Sequence, residues 1–194
     1  MITVDLDKVY SYADYLRWTF EERVELIRGR IFPMTPAPAR KHQFLSMKLT
    51  KAFIGFITDE DPCQLYAAPF DVRLPKPGKF MDNEVINVVQ PDLCIICDPN
   101  KLDDKGCLGA PDLIIEILSP STSNKDLTHK YDLYQESGVK EYWVVFPGEH
   151  VVMVHLLQES GTYAPPITYT TPQSVPVHIF NNQLKVDLEK VFVE

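Results

Sequence analysis

Residues 111–122 read PDLIIEILSPST, and one carboxylate in the middle of that run decides how the chain is read. Ile114, Ile115, Ile117 and Leu118 put apolar side chains on both faces of an alternating strand, the mark of a strand covered on both sides. Glu116 sits among them. An ionised carboxylate is costly there unless it is paired, hydrogen-bonded or bound to a cation.

Two Pro-Asp dipeptides offer a partner, at Asp92 and Asp112. Asp112 precedes Glu116 by four residues on one strand, about 13 Å at the rise of an extended chain, too far to share an ion. It reads as a strand-start residue. Asp92 lies in VVQPDLCIIC (88–97), the preceding strand, where lateral pairing brings a neighbour to within about 5 Å. Pro91 lacks an N–H and interrupts the ladder beside it, as at a bulge or a strand start. Two carboxylates side by side repel unless one is protonated or a cation lies between them. Asp92 and Glu116 are therefore expected to hold a divalent cation, and oxygen ligands suit Mg²⁺ or Mn²⁺.

A helix is expected from a cap near Ser123 to about Ser137, with Gly138 just past its end. Glu116 lies about 10 Å below the strand end, and seven helical residues from the cap to Lys130 also rise about 10 Å. A helix folded back over the sheet brings Lys130 level with Glu116. Leu127, Tyr131 and Tyr134 form its inward stripe, with Lys130 inside it. An Asp126–Lys130 pair on the helix surface is the alternative. Two carboxylates, a cation and a lysine would position a water against phosphorus and neutralise developing charge.

Outward from this stretch, TFEE (19–22) has capping-box form and Ser11 is expected to cap a short helix through about Trp18. RVELIRGRIFPM (23–34) reads as a hairpin turning at Arg28-Gly29. A helix over about residues 39–57 carries Leu45, Leu49, Ala52, Phe53 and Phe56 as its apolar stripe. His42 precedes that stripe by three residues and is a candidate to contact a water or phosphate, or to be a satisfied buried histidine. One strand is expected in LYAAPFDVRL (65–74), one in 88–97, one in 111–118, then EYWVVF (141–146) pairing with VVMVHLL (151–157), and two or three short strands in the tail. DPNKLDDKGCLG (98–109) reads as a solvated turn. The middle order is α-β-β-β-α-β.

The chain has 194 residues and a net charge of −8, which suits one domain, 1–194, and argues against a strongly basic nucleic-acid binder. The charge is uneven: residues 1–80 hold 12 basic and 10 acidic side chains, the remainder 7 and 17. From Arg23 to Thr58 seven bases face the single acid Glu25, a patch a phosphate backbone could use or the solvated faces of a hairpin and a helix. No run approaches the roughly 18 apolar residues of a membrane span. MITVDLDKVYSY lacks a basic stretch followed by an apolar one, so a cytoplasmic protein is expected. Cys94 and Cys97 form C-x-x-C, but no second pair follows and strand residues three apart point to opposite faces, so reduced, half-buried thiols are expected.

QPDLCIIC (90–97), GAPDLIIEILSPSTSNKD (109–126), KYDLYQESGVKEYWVV (130–145) and VELIRGR (24–30), with a helix carrying a histidine near its start, resemble the Uma-type family of restriction-endonuclease-like proteins, in the PD-(D/E)XK nuclease superfamily. The resemblance spans about residues 10–157 and is strongest from Gln90 to Phe146. It implies an α+β, restriction-endonuclease-like α-β-β-β-α-β core with a mixed central sheet, an N-terminal β-hairpin and a β-rich C-terminal tail. It implies a metal-dependent endonuclease acting on DNA, with Asp92 and Glu116 as metal ligands. The superfamily lysine, two residues after the glutamate, is replaced by Leu118, and Lys130 matches the lysine of the following helix. Glu25 matches the family's hairpin glutamate and Asp71 a supporting residue, whereas Arg30 stands where an acid usually follows the turn glycine. The expected site is Asp92, Glu116, Lys130, Glu25 and His42. A homodimer would cut both strands of a duplex. A non-catalytic or partner-dependent interaction module on the same core is the alternative function.

Overall fold

The computed structural model describes residues 5, 8–19, 22–34, 39–58, 60–119 and 124–193, with the side chains of 124–126 left aside. The expected caps in TFEE and at Ser123 involve residues outside that set. Ser11 does cap a helix, α1 (Tyr12–Tyr15), through a reciprocal box with Asp14, but α1 stops short of Trp18. The hairpin β1 (Val24–Ile27) and β2 (Arg30–Pro33) turns where the sequence places it. Arg28 and Gly29 have φ of 53° and 73°, the twist that a two-residue hairpin turn requires. A Cβ at Gly29 would come within 2.4 Å of the Val9 side chain, which with its positive φ favours glycine at this position. In α2 (Arg40–Ile54), Leu45, Leu49 and Phe53 follow the helical period and are fully buried.

The two middle strands differ from expectation. Each breaks at a proline, and its halves join different sheets. β3 (Gln64–Ala67) ends before Pro69 and β4 (Val72–Arg73) follows it; β5 (Val88–Val89) ends before Pro91 and β6 (Leu93–Ile96) follows it. A proline has no N–H to give to a ladder, so it marks the point where the chain leaves one sheet for the other. The 98–109 stretch is not simply a solvated turn either. β7 (Leu102–Asp103) and β8 (Gly106–Leu108) form a hairpin that buries Cys107 and pairs with β4. β9 (Leu113–Ile117), α3 (Asn124–Ser137), β10 (Glu141–Phe146) and β11 (Val151–Leu156) lie as expected. The tail adds β12 (Ile167–Thr170), β13 (Ser174–Pro176), β14 (Lys185–Asp187) and, beyond the expected strands, a short helix α4 (Leu188–Phe192).

The central sheet runs β12-β11-β10-β9-β6-β3, with β9 and β10 parallel and the other pairs antiparallel. A second sheet runs β2-β1-β5-β4-β8-β7. Leu93, Ile95, Leu113, Ile115 and Trp143 bury one face of the central sheet in the cluster that takes in α2, β13, β14 and α4. Cys94, Ile114, Tyr142 and Val144 bury the other face with α3 and the second sheet. β9 is thus covered on both sides, as its composition requires, and Glu116 shares a face with Ile114, toward α3.

One thiol expectation is overturned. Cys97 is joined to Cys63 by a disulfide, while Cys94 and Cys107 are free and buried. Cys94 and Cys97 do serve opposite cores. Extending the register Gln64↔Ile96 by one residue sets Cys63 across from Cys97, a juxtaposition set by strand pairing that C-x-x-C spacing does not reveal. Among the described residues no helix is long and apolar enough to cross a membrane.

Candidate metal and phosphodiester site

Asp92 stands at the mouth of β6, immediately after Pro91. Extending the register Leu93↔Ile115 by one residue places it opposite Glu116. Its Oδ2 accepts the backbone N–H of Ile117 at 2.7 Å, so the carboxylate takes up a ladder donor that β6 no longer satisfies. The same oxygen lies 3.2 Å from His42 Nε2, in the first turn of α2. Burial alone would lower the His42 pKa, but its hydrogen bond to Asp92 and the charges of Asp92 and Glu116 raise it. His42 Nδ1 is buried and has no hydrogen-bond partner among the described residues.

Glu116 is met from the other side. Its Oε1 accepts from Lys130 Nζ at 2.9 Å and from the Tyr134 hydroxyl at 2.6 Å. Lys130 Nζ also donates to Glu25 Oε1 at 2.9 Å, and that oxygen accepts the backbone N–H of Gln90 at 2.9 Å. One ammonium therefore bridges carboxylates from β1 and β9. Burial pushes the Glu116 carboxyl up, to about 7, with Asp92 and Glu25 adding to the push and Lys130 and Tyr134 opposing it. Burial would lower Lys130, but the two carboxylates outweigh it and hold the ammonium above the usual lysine range.

The structure thus brings together all five expected residues, Asp92, Glu116, Lys130, Glu25 and His42. It adds two contributors. Tyr134 belongs to the apolar stripe of the helix by its spacing, yet a buried tyrosine hydroxyl needs a partner, and its place four residues after Lys130 is the signal that points to one. Gln90 carries no signal of its own beyond its position before Pro-Asp. Asp71 lies one layer out: it accepts from Gln90 Nε2 at 2.8 Å and from the Tyr12 and Tyr15 hydroxyls, both at 3.3 Å. Leu118 packs at the edge of the core, and Lys130 supplies the cation from α3 instead.

Asp112 is set apart from this cluster. It is buried, accepts the Cys97 N–H at 2.7 Å and pairs with Lys140 at 2.6 Å. Asp112→Ala leaves that N–H unsatisfied and should cost about 1–3 kcal/mol of stability. Chemical denaturation will read that loss, and divalent-cation affinity should be unchanged.

The donor set suits a divalent cation. Asp92 and Glu116 each give one oxygen to protein donors, while Asp92 Oδ1 and Glu116 Oε2 accept no hydrogen bond among the described residues. Lys130 meets two of the carboxylates, Glu25 and Glu116, and Asp92 meets the His42 ring instead. Hard oxygens in excess over positive charge fit Mg²⁺ or Mn²⁺, and Mg²⁺ is commonly held by one or two carboxylates with water and phosphate completing its shell. Among the described residues no group of three or more His, Cys, Asp or Glu side chains is arranged to hold a metal ion.

The fold and this cluster define an α+β protein with a restriction-endonuclease-like core. The crystal structure of a "putative nuclease belonging to DUF820" from Anabaena variabilis ATCC 29413 matches it with a TM-score of 0.71, over 94% of this chain and 97% of that one, at 21% identity, a likeness of fold. The family described as "Uma2: Putative restriction endonuclease" matches residues 12–189, and the chain belongs to that family. The uncharacterized protein slr1290 of Synechocystis sp. (strain ATCC 27184 / PCC 6803 / Kazusa) is 26% identical over 126 residues, which span 64% of this chain and 61% of that relative.

Proposed function

We propose that this protein is a divalent-metal-dependent nuclease that hydrolyses phosphodiester bonds in DNA, of endonuclease type. The observation that carries the reading is the pairing of Asp92 and Glu116 on neighbouring strands with Lys130 bound to Glu116. Family membership and the shared fold support it.

Asp92 and Glu116 would hold Mg²⁺ or Mn²⁺, which when bound lowers the pKa of a coordinated water and stabilises charge on a phosphoryl oxygen. The chain's own groups have separate tasks. Lys130, kept protonated by Glu116 and Glu25, presents a fixed positive charge to a phosphate oxygen or orients the attacking water; it has no lone pair to act as a base. Tyr134 fixes the rotamer of Glu116, and Glu25 holds Lys130 from β1 of the second sheet. His42 and the Ile117 N–H fix Asp92.

Because the Glu116 carboxyl is pushed up to about 7, a cation must compete with a proton there. Divalent-cation affinity should therefore rise with pH, and binding should release protons below about pH 7 and few above about pH 8. Calorimetric titration of Mg²⁺ or Mn²⁺ in buffers of different ionisation enthalpy will measure both. Affinity that is flat with pH, or unaffected by Asp92→Asn, removes the cation from this site. Conversion of supercoiled plasmid to nicked and linear forms, dependent on the cation, tests the activity itself. Cation binding without such conversion would favour the interaction module.

A further inference from the structure

Arg23 immediately precedes β1, and its carbonyl accepts the Met34 N–H at 2.9 Å, so the hairpin ladder continues through it. Strand alternation puts Arg23 on the same face as Glu25, about 7 Å away along the chain. Both are tied to one residue. Gln90 gives its backbone N–H to Glu25, while its side-chain Oε1 accepts from Arg23 Nε at 3.1 Å and also from Nη2. The Gln90 amide is itself fixed by Asp71 Oδ1 at 2.8 Å and the Tyr15 hydroxyl at 3.2 Å.

The guanidinium is thus oriented by a neutral group. Among the described residues no carboxylate lies within ion-pair distance of Arg23, in contrast to Arg28, which pairs with Glu136 at 2.7 Å, and Arg73, which pairs with Asp103. Arg23 is exposed, so its charge faces solvent with no carboxylate paired to it among the described residues. A preorganised guanidinium with free donors is suited to a phosphate, which it can grip with two parallel bonds. Arg28, Arg30 and Arg73 gain no such role from their exposure or pairing alone.

We infer that Arg23 is a substrate-binding residue that grips a backbone phosphate beside the bond to be cut, with Gln90 as its positioning residue. The inference rests on the nuclease reading of the adjacent site. It makes the basic character of the hairpin specific: one arginine contacts the polyanion, and its neighbour Arg28 does not.

The test is binding of a DNA duplex of arbitrary sequence to the full chain in EDTA, so that no strand is cut, across a salt series. Arg23→Ala should weaken binding roughly tenfold or more at low salt. It should also reduce the slope of log K against log salt by about 0.9, the signature of one lost phosphate contact. Arg23→Lys keeps the charge but loses the fork, and should keep the slope while binding more weakly. Arg28→Ala should leave the slope unchanged. With cation present, Arg23→Ala should raise KM more than it lowers kcat, which a loss of folding would not do. Should Arg23→Ala fail to fold, Arg23→Lys carries the test, and wild-type affinity in that variant overturns the two-bond grip. Arg23→Ala with wild-type slope and affinity overturns the assignment and leaves the nuclease reading standing. A wild-type chain that neither binds nor cuts DNA overturns both.

Discussion

Glu116→Gln will cut cation-dependent plasmid cleavage by roughly 10³-fold, a loss of the size seen when one preorganised charge-stabilising group is removed. That corresponds to about 4 kcal/mol in the barrier. The amide keeps the shape of the side chain and an oxygen for Lys130 and Tyr134, but it loses the charge that draws a cation. Stability should respond in the opposite sense. The folded-state pKa of Glu116 is raised above its ordinary value, so ionising it costs stability as pH climbs from about 4.5 toward about 7. Glutamine removes that cost, and Lys130 is not stranded, because it keeps Glu25 at 2.9 Å. The variant should therefore melt no lower than the wild type near pH 8. Thermal denaturation and a cleavage time course on the same preparation decide the matter; a variant that is both inactive and strongly destabilised would make Glu116 a structural residue first.

Such a trade is the pattern of a functional site: a buried carboxylate kept at a cost to the fold because the chemistry needs it. The pattern is legible in LIIEI from the residues alone, since a lone acid in a doubly covered strand demands a partner. Register arithmetic chooses Asp92 over Asp112, and helix geometry brings Lys130 level with Glu116. These steps work because strand rise, helix rise and alternation are nearly invariant. Other features lie beyond them. The split of residues 65–74 and 88–97 between two sheets depends on what each half packs against, which the apolar residues on either side of each proline do not reveal. The Cys63–Cys97 link depends on which strands pair, as does the order hidden in DPNKLDDKGCLG, whose polar composition conceals a hairpin that seals Cys107. Gln90 escapes sequence reasoning for a related cause: a glutamine before Pro-Asp acquires its role only when a carboxylate is placed beside it, whereas Tyr134 is signalled only weakly, by its spacing from Lys130.

Lys130→Met will be the most destabilising single change in the cluster, and the effect will depend on pH in a direction that identifies its cause. Methionine keeps most of the apolar stem but removes the charge shared by Glu25 and Glu116. Two carboxylates then remain buried with no ammonium, a change that costs about 3–5 kcal/mol when one partner of a buried pair is lost. The folded-state pKa of Glu116 rises further in the variant, because burial and the charges of Asp92 and Glu25 are no longer opposed by Lys130. An acid with a raised folded pKa loses stability as pH rises through its unfolded value, so the gap from wild type should be small near pH 4.5 and widest near pH 8. Urea denaturation at both extremes measures it. A divalent cation should recover part of the loss in the variant and stabilise it more than it does the wild type, since it offers the carboxylates the positive charge that lysine supplied. Cleavage should stay absent even then, because a cation can neutralise the carboxylates without replacing the fixed ammonium that meets the phosphate. Equal destabilisation at the two pH values would place the cost in packing and separate Lys130 from the carboxylates it touches.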